Sequence, residues 1–217
     1  MLTAIATDTQ GQTTTSSTVA VTVSYAAAGG ASASFIKLDT ATQGSWKGAY
    51  GYDGYVIAND SNNPPGYAAL SPTGANLWTW AGSSTDPRAL QKGASSTDRI
   101  ASTYYASGTF SFDLNLKDGQ THQLALYALD MDTSTRAETI SILDATTLSI
   151  LDSRNLSNFH NGIWVVWNIQ GHVQIQVNST GNPNGVVSGV FFGSGPPAGP
   201  PPTIALTGPQ PVRFRVQ

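Results

Sequence analysis

Phe110-Ser111-Phe112-Asp113-Leu114-Asn115-Leu116 places an apolar side chain at every second position, the two-residue period of a strand with one face buried. Lys117-Asp118-Gly119-Gln120 then supplies the turn chemistry of a hairpin, and Leu124, Leu126 and Ala128 fall on one face of the strand that returns. The pattern continues downstream. Glu138 to Leu143 turns through Asp144-Ala145-Thr146 into Thr147 to Asp152. Gly162 to Ile169 turns through Gln170-Gly171 into Val173, Ile175 and Val177, and Gly185 to Phe192 closes the set as a last strand. Nowhere does a helical period of about 3.6 residues persist between caps. Many short strands at a spacing of roughly ten residues predict an all-β chain, an antiparallel two-sheet β-sandwich of jelly-roll type over 33–193.

Working toward the termini, Leu2 to Thr7 and Thr18 to Val23 alternate on either side of Asp8-Thr9-Gln10-Gly11, which predicts a hairpin over 1–24. The segments Ala6 to Gly11 and Val19 to Val23 resemble the last two strands of bacterial immunoglobulin-like repeats. At the other end, Gly195-Pro196-Pro197-Ala198-Gly199-Pro200-Pro201-Pro202 lacks amide donors and favours extended polyproline geometry, so 194–202 reads as a semi-rigid linker. Thr203-Ile204-Ala205-Leu206-Thr207-Gly208-Pro209 resembles the opening strand of a further such repeat, with 203–217 its start or a tail. The expectation is one complete domain cut from a larger secreted or cell-surface protein, its signal peptide lost with the rest.

Composition narrows the function classes. The 217 residues carry 11% charged side chains and a net charge of −3, too little positive charge for the counterion-release grip on nucleic acid or anionic lipid. No apolar run approaches the roughly 18 residues of a membrane span, so neither nucleic acid nor membrane insertion is expected. Cysteine is absent, which removes disulfides, thiolate nucleophiles and sulfur metal ligands together. No Gly-x-Ser-x-Gly elbow and no phosphate-binding Gly-x-x-x-x-Gly-Lys loop occurs.

A more specific likeness lies in the strand series. Gly119 to Asp130, then Thr139 to Asp144, then Val173 to Val177 are similar to the later strands of galactose-binding-like jelly rolls, a superfamily containing many carbohydrate-binding modules. The resemblance implies a sugar site on end loops or a concave face, and a structural calcium.

Aromatic residues carry the leading functional expectation. In Asn76-Leu77-Trp78-Thr79-Trp80, Trp78 and Trp80 share a strand face at ~7 Å, the reach needed to stack on successive sugar rings. Sugar C–H groups are apolar and weakly positive, so they match the negative face of an indole. The competing use of these rings is core packing. Trp46, Tyr50, Tyr52 and Tyr55, with Tyr67, lie among glycines and asparagines, so a second aromatic group is expected on loops, either binding glycan or packing a long hairpin against itself. Trp164 and Trp167 are three apart and face opposite ways. Arg88 is a candidate for holding a sugar hydroxyl, with local pairing to Asp86 as its other use.

Three uses compete for Asp130 and Asp132: a calcium site, since carboxylates on a turn suit a hard cation; a catalytic role alongside His160; and a solvated turn. The sequence thus predicts a polysaccharide- or oligosaccharide-binding module that needs no cofactor. A hydrolase or lyase on the same fold and an adhesion or spacer module are the alternatives.

Overall fold

The computed structural model describes residues 5–17 and 30–194. The first segment is a hairpin of β1 (Ile5–Thr7) and β2 (Thr13–Thr15), with Ile5 opposite Thr15. The Asp8 carboxylate closes its turn by accepting from the Gln10 and Gln12 amides at 2.9 and 2.8 Å. The expected return strand, Thr18 to Val23, lies outside the described residues, as do the linker and the segment 203–217.

In the second segment, strands follow one another with no helix among the described residues. They are β3 (Ser32–Asp39), β4 (Tyr50–Ile57), β5 (Ser61–Asn63), β6 (Ala68–Thr73), β7 (Asn76–Ser84), β8 (Leu90–Gln91) and β9 (Arg99–Ala106). Then come β10 (Thr109–Leu116), β11 (Thr121–Ala128), β12 (Ala137–Asp144), β13 (Ile150–Ser157), β14 (Ile163–Gln170), β15 (His172–Ser179), β16 (Gly185–Val187) and β17 (Gly189–Ser194). Five of them pair in the order β13-β12-β15-β10-β6, and six in the order β3-β14-β11-β17-β4-β5. A third, smaller group runs β16-β9-β7, with β8 added to β9. Every pairing is antiparallel.

The two large sheets face each other as a sandwich, consistent with a jelly roll. Phe110, Phe112, Leu114, Ile140, Ile142 and Ile175 from the five-stranded sheet meet Leu124, Leu126, Val165, Trp167, Val190 and Phe192 from the six-stranded one, all sealed from solvent. Their period of two is the alternation read from the sequence.

Two predicted hairpins are corrected. β10 pairs with β15 and β6, whereas β11 pairs with β14 and β17, so the Lys117–Gln120 turn carries the chain from one sheet to the other. The Gln170-Gly171 turn does the same between β14 and β15. Both strands at each turn point their apolar faces into the same core, which a crossing between layers satisfies as well as a hairpin does. The Asp144-Ala145-Thr146 hairpin forms as expected, joining β12 to β13. The last strand is also not continuous: it breaks at Ser188, whose amide donates to the Tyr127 carbonyl at 2.7 Å. β16 therefore joins β9 while β17 enters the six-stranded sheet.

That six-stranded sheet is apolar on both faces. On its outer side Trp164, Tyr127, Phe191, Ala125 and Val166 form a second core, covered by Trp46, Tyr50, Leu90 and Ile100. The cover is fastened by polar ring tips. The Trp164 indole donates to the Gln43 carbonyl at 2.7 Å and the Trp46 indole to the Gln91 carbonyl at 2.7 Å. The Tyr127 hydroxyl donates to the Arg88 carbonyl at 2.7 Å, and the Tyr50 hydroxyl to the Asp39 carboxylate at 2.6 Å. Buried aromatic tips carry a desolvation cost of several kcal/mol when unpartnered, roughly 1 to 3 each, which these bonds remove.

Candidate functional site

β7 pairs with β9 as a ribbon at the edge of the small third sheet, and its two faces differ. Trp78 lies opposite Thr103, and Asn76 opposite Tyr105. Between Thr79 and Ala81 the register shifts, leaving Trp80 as the extra residue of a bulge, a device that re-aims a side chain. Trp78, Trp80, Thr103 and Tyr105 consequently line one cavity of about 280 Å³, completed by Asp132, Arg136, Pro183 and Asn184. Leu77 and Tyr104, one residue out of phase, line a different depression on the opposite side.

The cavity is open where the rings are and fixed where the polar groups are. Trp78 is 54% exposed, against a core in which the other large rings are almost wholly covered. Beneath it the Arg136 guanidinium lies over the Trp80 ring, 5.6 Å from its centroid. Arg136 Nη1 donates to both Asp130 and Asp132 at 2.5 Å, and Nε donates to the Asn184 amide oxygen at 2.9 Å. Asp130 also accepts from the Thr133 amide and hydroxyl at 3.1 and 2.6 Å and from the Arg136 amide at 3.1 Å. Burial opposes the charge of both carboxylates, but these hydrogen bonds and the guanidinium outweigh it and hold both below the usual range. The Trp80 indole N–H is among the donors that hold Asp132 low.

This arrangement corrects the calcium expectation. One oxygen of Asp130 and one of Asp132 are turned onto the same guanidinium, the other Asp130 oxygen accepts from the Arg136 amide, and Asp130 is sealed from solvent. The residues do not fit a calcium ion, and no cluster of three metal-ligating side chains occurs among the described residues. The catalytic pairing of Asp130 and Asp132 with His160 is not assembled either. His160 Nδ1 donates to the Thr133 and Asp130 carbonyls at 2.6 and 2.9 Å, while Nε2 accepts from Arg88 Nη1 at 2.9 Å. Both ring nitrogens therefore tie loops together. Arg88 is held by Asp86 through Nε and Nη2, the local pairing weighed for it, and is withdrawn from the sugar-binding set.

The second aromatic group does converge, on a depression of about 260 Å³ lined by Trp46, Tyr50, Tyr52 and Tyr55. Its largest rings are not platforms. Trp46 and Tyr50 are 4% and 3% exposed, Tyr50 stacked on Trp164 at 4.4 Å and Trp46 packed on Phe191 at 5.1 Å. Lys47 lies over Trp46 and donates to the Gly93 and Ser95 carbonyls, capping the ring. The expectation that these two bind glycan is thus corrected; Tyr52 alone of the group stands well exposed.

Sequence reasoning found Trp78 and Trp80 but missed Tyr105, Arg136 and Asn184. Tyr105 directly follows Tyr104, so the two-residue strand period puts the two rings on opposite faces, and that is the signal the sequence carries for it. Arg136 follows Asp130 and Asp132, four residues after the latter, a local signal for charge pairing, whereas Asn184 had none, since only the crossing of 130–136 beside 180–184 brings it in.

No protein-family model matches the sequence, and no curated protein does. Among solved structures, the chain is similar to an exo-β-1,3-galactanase from Phanerochaete chrysosporium with β-1,3-galactotriose, at 16% identity and a TM-score of 0.36 over 66% of this chain and 29% of that one. It therefore spans less than a third of the galactanase. It is similar to a family 35 carbohydrate binding module from Clostridium thermocellum at 16% identity and a TM-score of 0.30, over 63% of this chain and 97% of that one. TmCBM61 in complex with β-1,4-galactotriose matches at 12% identity and a TM-score of 0.27, over 59% and 86% of the two chains.

Proposed function

We propose that this chain is a carbohydrate-binding module that holds a saccharide against the Trp78 and Trp80 face of the β7–β9 ribbon. The observation that carries this is a half-exposed indole standing over polar groups already fixed in place. Ligand sites are concave, mainly apolar, with a few polar groups set in position, and roughly 300 Å³ is the lower end of their size. Trp78 supplies stacking area at little entropic cost, and Tyr105 and Pro183 extend the apolar wall. Asp132, Asn184 and Thr103 supply acceptors and donors for hydroxyls. Because Arg136 orders Asp132 and Asn184 before any ligand arrives, less freedom is lost on binding.

The setting proposed with it is extracellular, in a multidomain protein that keeps company with immunoglobulin-like repeats and meets polysaccharide. Low charge, a Ser/Thr/Asn-rich surface and the Pro/Gly run after the domain support that setting. Acrylamide quenching of tryptophan fluorescence tests the site. Trp78 is the one strongly exposed tryptophan, so a bound saccharide is expected to remove most of the quenchable signal. Unchanged quenching at saturating saccharide speaks against it.

A further inference from the structure

Resting on that binding site, we infer that the pocket selects neutral saccharides over acidic ones, with Asp132 as the residue that rejects uronic acids. The observation is an imbalance of accessible charge. Arg136 is the cation lining the cavity, and its side chain is 3% exposed, whereas the Asp132 side chain is 48% exposed. One guanidinium faces two carboxylates, since Asp130 takes the same Nη1 from below. Arg88, tied to the 130–133 turn through His160, is already neutralised by Asp86. A ligand in the cavity therefore meets a net negative site whose positive member is walled in.

For a neutral sugar this is useful. A carboxylate accepts from hydroxyls through charge-assisted bonds, and Asp132 is oriented for it by Arg136 and the Trp80 indole. For a sugar bearing a C6 carboxylate the same group repels. Like charges a few ångströms apart at a partly wet surface cost enough for about a tenfold loss of affinity.

The experiment uses one backbone in two charge states. The purified chain is titrated calorimetrically, in low salt, with soluble neutral polysaccharides and with the same polysaccharides oxidised at C6 to uronic acids. The expected result is that a neutral ligand binds and its oxidised form binds about tenfold or more weakly. The gap should narrow to within about threefold in Asp132→Asn and at high salt, where charge is removed or screened. Asp132→Asn keeps an acceptor for Arg136 and Trp80, and its folding is checked by circular dichroism; Asp132→Ala is the second variant. Equal binding of both forms, tighter binding of the oxidised form, or a gap unchanged in both variants overturns the inference while leaving the binding site standing. Binding of neither form overturns the site itself, and this selectivity with it.

Discussion

Glu138, the chain's one glutamate, sits on the inward side of β12 in phase with Ile140 and Ile142, sealed from solvent. Its Oε2 accepts from the Val186 amide at 2.7 Å, while Oε1 has no hydrogen-bond partner. Burial pushes its pKa from 4.5 up to about 8, against the opposing pull of the Val186 amide and of Arg136. The native state thus keeps a proton that the unfolded chain gives up above its ordinary value. Stability from this group is full below pH 4.5 and is lost as pH rises toward 8. Denaturant midpoints measured at pH 5 and pH 8 should fall more steeply in the wild-type chain than in Glu138→Gln, which cannot ionise. Parallel slopes would mean that Glu138 is charged in the native state. Nothing in the sequence marked this residue, because a glutamate in an alternating strand reads as polar whichever way it points. At Trp78 the expectation is opposite in kind: Trp78→Ala, removing a ring that stands mostly in solvent, should shift stability by no more than about 0.5 kcal/mol.

Strands β11 and β14 show what the two-residue period reveals and what it hides. Ile163-Trp164-Val165-Val166-Trp167 is apolar at every position, and so is Leu124-Ala125-Leu126-Tyr127-Ala128-Leu129. A strand apolar on both faces needs cover on both, and this was legible. The spacing told that Trp164 and Trp167 point to opposite sides, and the structure places one in each core; which segment lies over the outer side the sequence did not tell. The cover comes from the glycine- and tyrosine-rich stretch read as a candidate sugar loop, and from 86–91. The two are stitched where the Gly44 amide donates to the Pro87 carbonyl and the Gln91 amide to the Gly44 carbonyl, both at 3.0 Å. A Cβ at Gly44 would stand 1.9 Å from the Ala89 carbonyl oxygen, so backbone must move. Gly44→Ala should cost about 1 to 3 kcal/mol, and Trp46→Ala about 3 to 5 kcal/mol, both read from thermal or denaturant melts. If the cover is structural, neither variant should weaken saccharide binding while folded.

At the scale of the molecule, the class of fold followed from alternation and turns alone, since an apolar face every second residue leaves little but stacked sheets. The order of strands did not follow. Turns such as Lys117–Gln120 and Gln170-Gly171 have the same chemistry whether the chain doubles back in one sheet or crosses to the other, and partners distant in sequence, β10 with β15 or β11 with β17, decide between them. The proposed site depends on that long-range order: Trp78 and Tyr105 come from the small third sheet, while Asp132, Arg136 and Asn184 come from loops leaving the two large ones. The most direct measurement is therefore calorimetric titration of soluble polysaccharides into the wild-type chain, Trp78→Ala and Tyr52→Ala, with melting temperatures taken in parallel. The predicted result is binding by the wild-type chain and by Tyr52→Ala, and its loss in Trp78→Ala at an unchanged melting temperature. Undiminished binding by Trp78→Ala, or no binding by the wild-type chain to any of them, would contradict it.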